Sequence, residues 1–206
     1  MVKVSNKASH ENVIQRPVLT FPDEVSKWVR SHYEKASVIL EYGSGGSTVL
    51  ASELAGKTVF SVESDANWMA NLQKYLDAEG AKSSVTLHHA DIGSTGKWGR
   101  PKDDSGWCEY HKYPLSVWDR TDFIAPDLVL IDGRFRAACL LTVLLRTEKL
   151  ITVLFDDYKE REKYHVVEEF SKPVELVGRM AKFVFEPYPM PRASMTKIIG
   201  LFNKTF

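Results

Sequence analysis

Between residues 36 and 187 short apolar runs alternate with longer stretches in which apolar residues recur every three or four positions. VILEYG (38–43), TVFSVE (58–63), SVTLHHA (84–90), PDLVLID (126–132) and ITVLFDD (151–157) are short, rich in β-branched residues and bounded by turn residues, a pattern that predicts strands. ELVGRMAKFVFEP (175–187) reads as a further strand that Gly178 can fold into a hairpin. Helical spacing lies between them. Val25, Trp28, Val29 and His32 or Tyr33 recur after the helix-start pair Pro22 and Asp23, which predicts a helix over 22–35. STVLASELA (47–55), DANWMANLQKYLDAE (65–79, with Met69, Leu72 and Leu76 on one face), RAACLLTVLLRT (136–147) and KEREKYHVVEEF (159–170) read as helices too. Strand–helix alternation implies right-handed crossovers, and so an α/β, doubly wound, mostly parallel sheet with helices on both faces.

One segment breaks this rhythm. Residues 93–125 separate the third strand from the fourth, far beyond the few residues usual for such a connection. Trp98, Trp107, Tyr110, Tyr113 and Trp118 argue against disorder there. Two readings stay open: a lid over a ligand site, moving on Gly96, Gly99 and Gly106, or a packed structural excursion. Residues 1–16 mix polar and charged groups without the apolar core of a signal peptide, and are expected to form a loose arm.

Length and charge narrow the class. The 206 residues suit one domain, and 27 basic against 27 acidic residues give no sign of a nucleic-acid or charged-membrane partner. AACLLTVLL falls well short of the roughly 20 apolar residues that span a bilayer. Cys108 and Cys139 lie in unlike settings and are expected as reduced thiols of a cytoplasmic protein. Homo-oligomerisation stays open.

EYGSGGST (41–48) places Gly43, Gly45 and Gly46 where the first strand passes into a helix, at the carboxyl edge where open α/β sheets bind ligands. The dinucleotide pattern G-x-G-x-x-G would need glycine at position 48, where Thr48 stands. Glu41, ahead of the glycines, would repel a pyrophosphate but suits an ammonium group. Glu63 ends the second strand, where a carboxylate can accept both hydroxyls of a ribose, and Asp91 ends the third, within reach of an adenine amino group. Acidic residues ending three successive strands point to a ligand that joins an amino acid to a nucleoside.

These segments are jointly similar to those of the class I S-adenosylmethionine-dependent methyltransferases. EYGSGGST resembles their motif I, SVESD (61–65) their ribose-binding acidic motif, HHADIG (88–93) their adenine segment and LVLIDGR (128–134) their fourth-strand motif. The resemblance implies a Rossmann-like seven-stranded sheet with an antiparallel C-terminal strand. It implies Gly43, Ser44, Gly45, Gly46 and Ser47 around the methionine part of the cofactor, Glu63 at the ribose, Ser64 lining the nucleoside pocket, and Asp91 and Ile92 at the adenine. Trp68 would line the nucleoside pocket or pack in the core.

Methyl transfer needs an aligned nucleophile and, where required, a base. Asp132 ends the fourth strand, and Asp156 and Asp157 end the fifth. The three resemble the Mg²⁺ site of catechol-type O-methyltransferases, although Asp157 replaces an asparagine and Phe135 stands where such enzymes carry a lysine. The alternative is that Asp156 or Asp157 caps a helix beginning near Lys159. With no lysine at position 135, the general-base role passes to His111, Asp132, which also borders the cofactor, or a loop residue; Arg134 and Arg136 make anion contacts or ion pairs. The Asn/Asp-Pro-Pro-aromatic motif of enzymes that methylate exocyclic amines of bases is replaced by IDGR. The expected activity is methylation of a small-molecule acceptor, at oxygen rather than nitrogen. Another nucleotide-binding Rossmann-like enzyme and a non-catalytic cofactor-binding module are the alternatives.

Overall fold

A computed structural model of the chain describes residues 15–187, 189 and 191–205. The arm expected at 1–16 lies outside these residues except for Gln15 and Arg16, whose guanidinium meets Glu53 at 2.6 Å.

Strands β1 (Val38–Tyr42), β2 (Thr58–Glu63), β3 (Ser84–His89), β4 (Leu128–Ile131), β5 (Ile151–Phe155), β6 (Glu175–Val177) and β7 (Met180–Phe185) form one seven-stranded sheet in the order β3-β2-β1-β4-β5-β7-β6. The first five pair in parallel; β7 runs antiparallel to both β5 and β6. The strands and the hairpin fall where the alternation of the sequence puts them. Gly178 turns the hairpin with φ +53°.

The two-residue period of the strands sorts their side chains onto two cores. Ile39, Leu128, Leu130 and Leu154 pack with Val25, Val29 and Tyr33 of α1 (Asp23–Lys35) and with Leu50 of α2 (Gly46–Glu53). Leu72, Tyr75 and Leu76 of α3 (Ala66–Glu79) pack on Val49 beside this layer. Leu40, Tyr42, Val129, Ile131, Val153 and Phe155 face the other way. They meet the short α4 (Lys112–Leu115), the apolar α5 (Arg136–Arg146) and α6 (Met195–Phe202). Asp65 caps α3 by accepting from the backbone N–H groups of Asn67 and Trp68, each at 3.0 Å.

Two elements differ from the sequence pattern. Residues 159–170 do not form an α-helix: a 3₁₀ helix spans Glu162–Glu169, with Tyr164 and Val167 buried and Phe170 packed beneath them. Their spacing of three suits the three-residue turn of that helix. The C-terminal α6 went unassigned in the sequence because Gly200 interrupts its short apolar run.

The excursion at 93–125 divides into two parts. Tyr110, Tyr113, Val117 and Trp118 are buried in the core, which is the packed reading. Trp98 and Trp107 are 70% and 60% exposed, and the turn Lys97–Gly99 lies on the carboxyl edge of β2. Among the described residues no helix is long and apolar enough to cross a membrane.

Glu41 ties these layers together. As the neighbour of Ile39 on the same strand face it points under α1, with no solvent exposure. Tyr33 of α1 donates its hydroxyl to Oε1 at 2.6 Å, and Thr48 of α2 donates to Oε2 at 2.6 Å. Burial raises the pKa of Glu41, and the hydroxyl donors oppose that rise. Removing the Tyr33 hydroxyl takes from the buried carboxylate its 2.6 Å donor on Oε1. Tyr33→Phe is therefore expected to lower stability by about 1.5–3 kcal/mol, the range for hydrogen bonds to charged groups, read as a shift in the urea midpoint at constant slope. An unchanged midpoint would show that Glu41 does not depend on Tyr33.

Candidate active site

The β1–α2 turn and the β4–α5 turn touch backbone to backbone. Gly43 has φ +105°, and a Cβ there would come within 2.8 Å of the Gly133 Cα. A Cβ on Gly46 would collide with the backbone of Val18. Gly45 differs from both: the nearest atom to a Cβ there is Cζ2 of Trp68, at 3.9 Å. The open side of the turn is thus the side that Gly45 presents. Trp68 borders it, 42% exposed, with its indole N–H donating to the Ser44 carbonyl at 2.8 Å. Of the two readings of Trp68, packing in the core does not hold, since the ring is exposed beside the turn.

Glu63 reaches the same turn from β2. Its Oε1 accepts from the backbone N–H groups of Ser64 at 2.7 Å and Asp65 at 2.9 Å. Its Oε2 has one long partner, the Ser44 N–H at 3.4 Å, and so retains acceptor capacity. Burial raises the Glu63 pKa, offset by these backbone donors. Ser64 donates its hydroxyl to the Gly99 carbonyl at 2.9 Å, which fixes the excursion beside Glu63. Asp91 is exposed and folds its Oδ1 back onto the Gly93 N–H at 3.0 Å.

Four expected ligand contacts are placed elsewhere. Glu41 has both oxygens occupied and no exposed surface to offer an ammonium group, because the strand period turns it under α1. The Ser47 hydroxyl is buried toward Tyr33 and Glu41. Ile92 is 1% exposed, with its side chain in the core and its carbonyl packed against Gly106. The Ser44 hydroxyl meets that of Ser61 at 2.8 Å.

At the β4 and β5 ends the three carboxylates do converge: Asp132, Asp156 and Asp157 each offer an oxygen within 4.8 Å of the others. Arginines fill the space between them. Arg179, on the β6–β7 turn, grips Asp156 with Nε at 2.9 Å and Nη2 at 2.7 Å. Arg161 pairs with Asp157 at 2.8 Å. Arg136, 3% exposed, meets Asp132 Oδ1 at 3.0 Å and Asp157 Oδ2 at 3.2 Å. Three guanidinium groups thus balance three carboxylates, and Asp156, fully buried, has both oxygens engaged. This donor set does not fit Mg²⁺, which needs carboxylate oxygens free to coordinate it. The capping alternative also fails, since no α-helix begins near Lys159 and Asp157 itself has φ +58°. Burial, and then the neighbouring Asp156, push the Asp132 pKa up to about 7 against the pull of Arg136.

His111 is exposed in the turn before α4, and no side-chain contact ties it to the carboxylates. Tyr113 stands closer to the site: 1% exposed, its hydroxyl accepts from the Arg134 N–H at 3.2 Å and lies directly under Gly133. Phe135, in place of a lysine, is fully buried between Tyr110 and Tyr113. The sequence offered no signal for Arg161 or Arg179, which reach the cluster from separate turns.

A methyltransferase-like protein from Silicibacter pomeroyi is 45% identical over 92% of this chain and 98% of its own, with a TM-score of 0.88. The chain belongs to the S-adenosylmethionine-dependent methyltransferase family. Two more distant structures share the fold. The O-methyltransferase TomG from Streptomyces achromogenes, solved with S-adenosylmethionine, is 15% identical over 82% of each chain, with a TM-score of 0.57. A methyltransferase from Geobacter sulfurreducens is 10% identical over 82% of each, with a TM-score of 0.51. No family model and no curated protein matches the chain.

The arginine–carboxylate cluster carries its own test. Arg179→Ala strands the buried Asp156 and is expected to cost about 3–5 kcal/mol in urea unfolding. Neither excess EDTA nor millimolar Mg²⁺ should move the melting temperature of the unaltered protein. A clear rise with Mg²⁺ would restore the metal reading.

Proposed function

We propose that this chain transfers a methyl group from S-adenosylmethionine to an oxygen of a small-molecule acceptor. The observation that carries the reading is the meeting, at one sheet edge, of the open face of Gly45, the under-used Oε2 of Glu63 and the carboxylate of Asp132. These residues fit the cofactor. The space over Gly45 beside Trp68 would take its methionine part, Glu63 Oε2 would accept from its ribose, and Asp91 has an exposed carboxylate for its adenine. Bound there, S-adenosylmethionine supplies an electrophilic methyl on a sulfonium.

The chain contributes alignment and a proton acceptor. Asp132 borders Gly133, whose backbone meets that of Gly43, so its carboxylate lies beside the cofactor turn. A carboxylate with a pKa of about 7 is a far stronger base than an ordinary aspartate and is still largely ionised above neutrality. That suits taking a proton from a hydroxyl, whereas a neutral amine attacks through its lone pair before it loses a proton. IDGR in place of the Asn/Asp-Pro-Pro-aromatic motif supports oxygen over a base amine. A cytoplasmic setting is part of the same reading, and the two cysteines, neither of them in a disulfide, are compatible with it.

Calorimetry should detect S-adenosylhomocysteine binding, weakened by roughly 1.5–3 kcal/mol in Glu63→Ala. Gly45→Val should abolish it while the circular dichroism of the protein is preserved, because the added side chain enters the ligand space and not the core. Undiminished binding in folded Gly45→Val would remove the site from this turn. With an acceptor in hand, kcat/KM should rise as pH passes through about 7, where Asp132 loses its proton, and Asp132→Asn should lower it by about 10²-fold or more. A flat profile, or full activity in Asp132→Asn, would assign the base elsewhere; cofactor binding without turnover over a broad acceptor panel would favour a non-catalytic module.

A further inference from the structure

Of the two arginines that follow β4 at positions 134 and 136, the carboxylate cluster takes only Arg136. Arg134 follows Gly133, its side chain is half-buried, and its Nε is buried without a hydrogen-bond partner. Among the described residues neither Arg134 nor Arg100 has an acidic partner, in contrast to Arg136, Arg161 and Arg179. Arg100 follows Gly99, which rests on Glu63 and Ser64, so the excursion carries it to the same edge. With Arg161 and Lys163 it lines an open groove of about 550 Å³. Burial, and then the charges of Arg136 and Arg100, pull the Arg134 pKa down.

A half-buried guanidinium that faces other cations is unfavourable by itself and favourable around an anion, which a guanidinium fork can hold by two hydrogen bonds. We infer that Arg134 and Arg100 bind an anionic group, a carboxylate, sulfate or phosphate, carried by the methyl acceptor. The word acceptor rests on the methyltransferase reading; the anion site does not. The groove reaches the site through Arg100, not Arg134, and Glu160 and Glu162, which also line it, would repel a phosphate backbone that continued along it.

Inorganic phosphate, sulfate and acetate, each titrated at constant ionic strength against chloride with and without saturating S-adenosylhomocysteine, provide the test, read by thermal unfolding. At least one anion should raise the melting temperature saturably, and Arg134→Gln should weaken its apparent affinity tenfold or more. Arg120→Gln, which removes a surface arginine paired with Asp122, should leave it unchanged. If Arg134→Gln does not fold, Arg100→Gln, at an exposed position, should show the same loss. No saturable response, or equal responses in wild type and both variants, would overturn the site. Displacement of S-adenosylhomocysteine by the anion would overturn the acceptor assignment, since the arginines would then hold the cofactor's own carboxylate. Absence of S-adenosylhomocysteine binding by calorimetry, with the anion response intact, would overturn the methyltransferase reading and the acceptor assignment together while leaving the anion site standing.

Discussion

A carboxylate can be held away from water only where donors replace its hydration, and Glu41 meets that requirement with one hydroxyl from α1 and one from α2. Those two bonds fix where both helices sit on the sheet. Thr48 extends the constraint to the ligand side, because its hydroxyl also accepts from the Gly45 N–H at 3.0 Å. The glycine turn is therefore pinned from beneath by a buried charge. Its outer face, bordered by Trp68, is where the cofactor is proposed to sit.

The same rule governs the other end of the site with different donors. Asp132, Asp156 and Asp157 are too close together to remain ionised unaided, and Arg136, Arg161 and Arg179 supply the compensating charge. Asp156 is locked by its bidentate partner and acts in holding the β6–β7 hairpin to β5. Asp132 keeps a partly exposed carboxylate and a raised pKa, which is why the proposed reaction takes it as the base. The balance of three against three also explains why Arg134 stands out.

Most of the fold was legible because buried parallel strands write themselves as short β-branched runs, and all five appear where such runs occur. Gly43, Gly45, Glu63 and Asp132 were legible as strand-end and turn positions for the same reason. What the chain did not disclose was which way individual side chains point. Glu41 read as ligand-facing because it precedes the glycines, yet it shares a strand face with Ile39 and so faces α1. Ile92 follows a strand end and turns inward for a comparable reason. The acidic pair at 156–157 is visible in one line of sequence, whereas its arginines come from three distant segments that only the fold brings together. Residues 159–170 carry apolar positions compatible with a helix of either pitch, and the three-residue spacing of Tyr164, Val167 and Phe170 decided the outcome.

The central claim is that the space over Gly45, between Trp68 and Glu63, holds S-adenosylmethionine with its methyl toward Asp132. A crystal structure of the S-adenosylhomocysteine complex tests it most directly. The account predicts the amino-acid part of the ligand on Gly45, a ribose hydroxyl on Oε2 of Glu63 and the sulfur facing the Asp132 side of the turn. Ligand density at another edge of the sheet, or on this edge with Glu63 making no contact to the ribose, would contradict it.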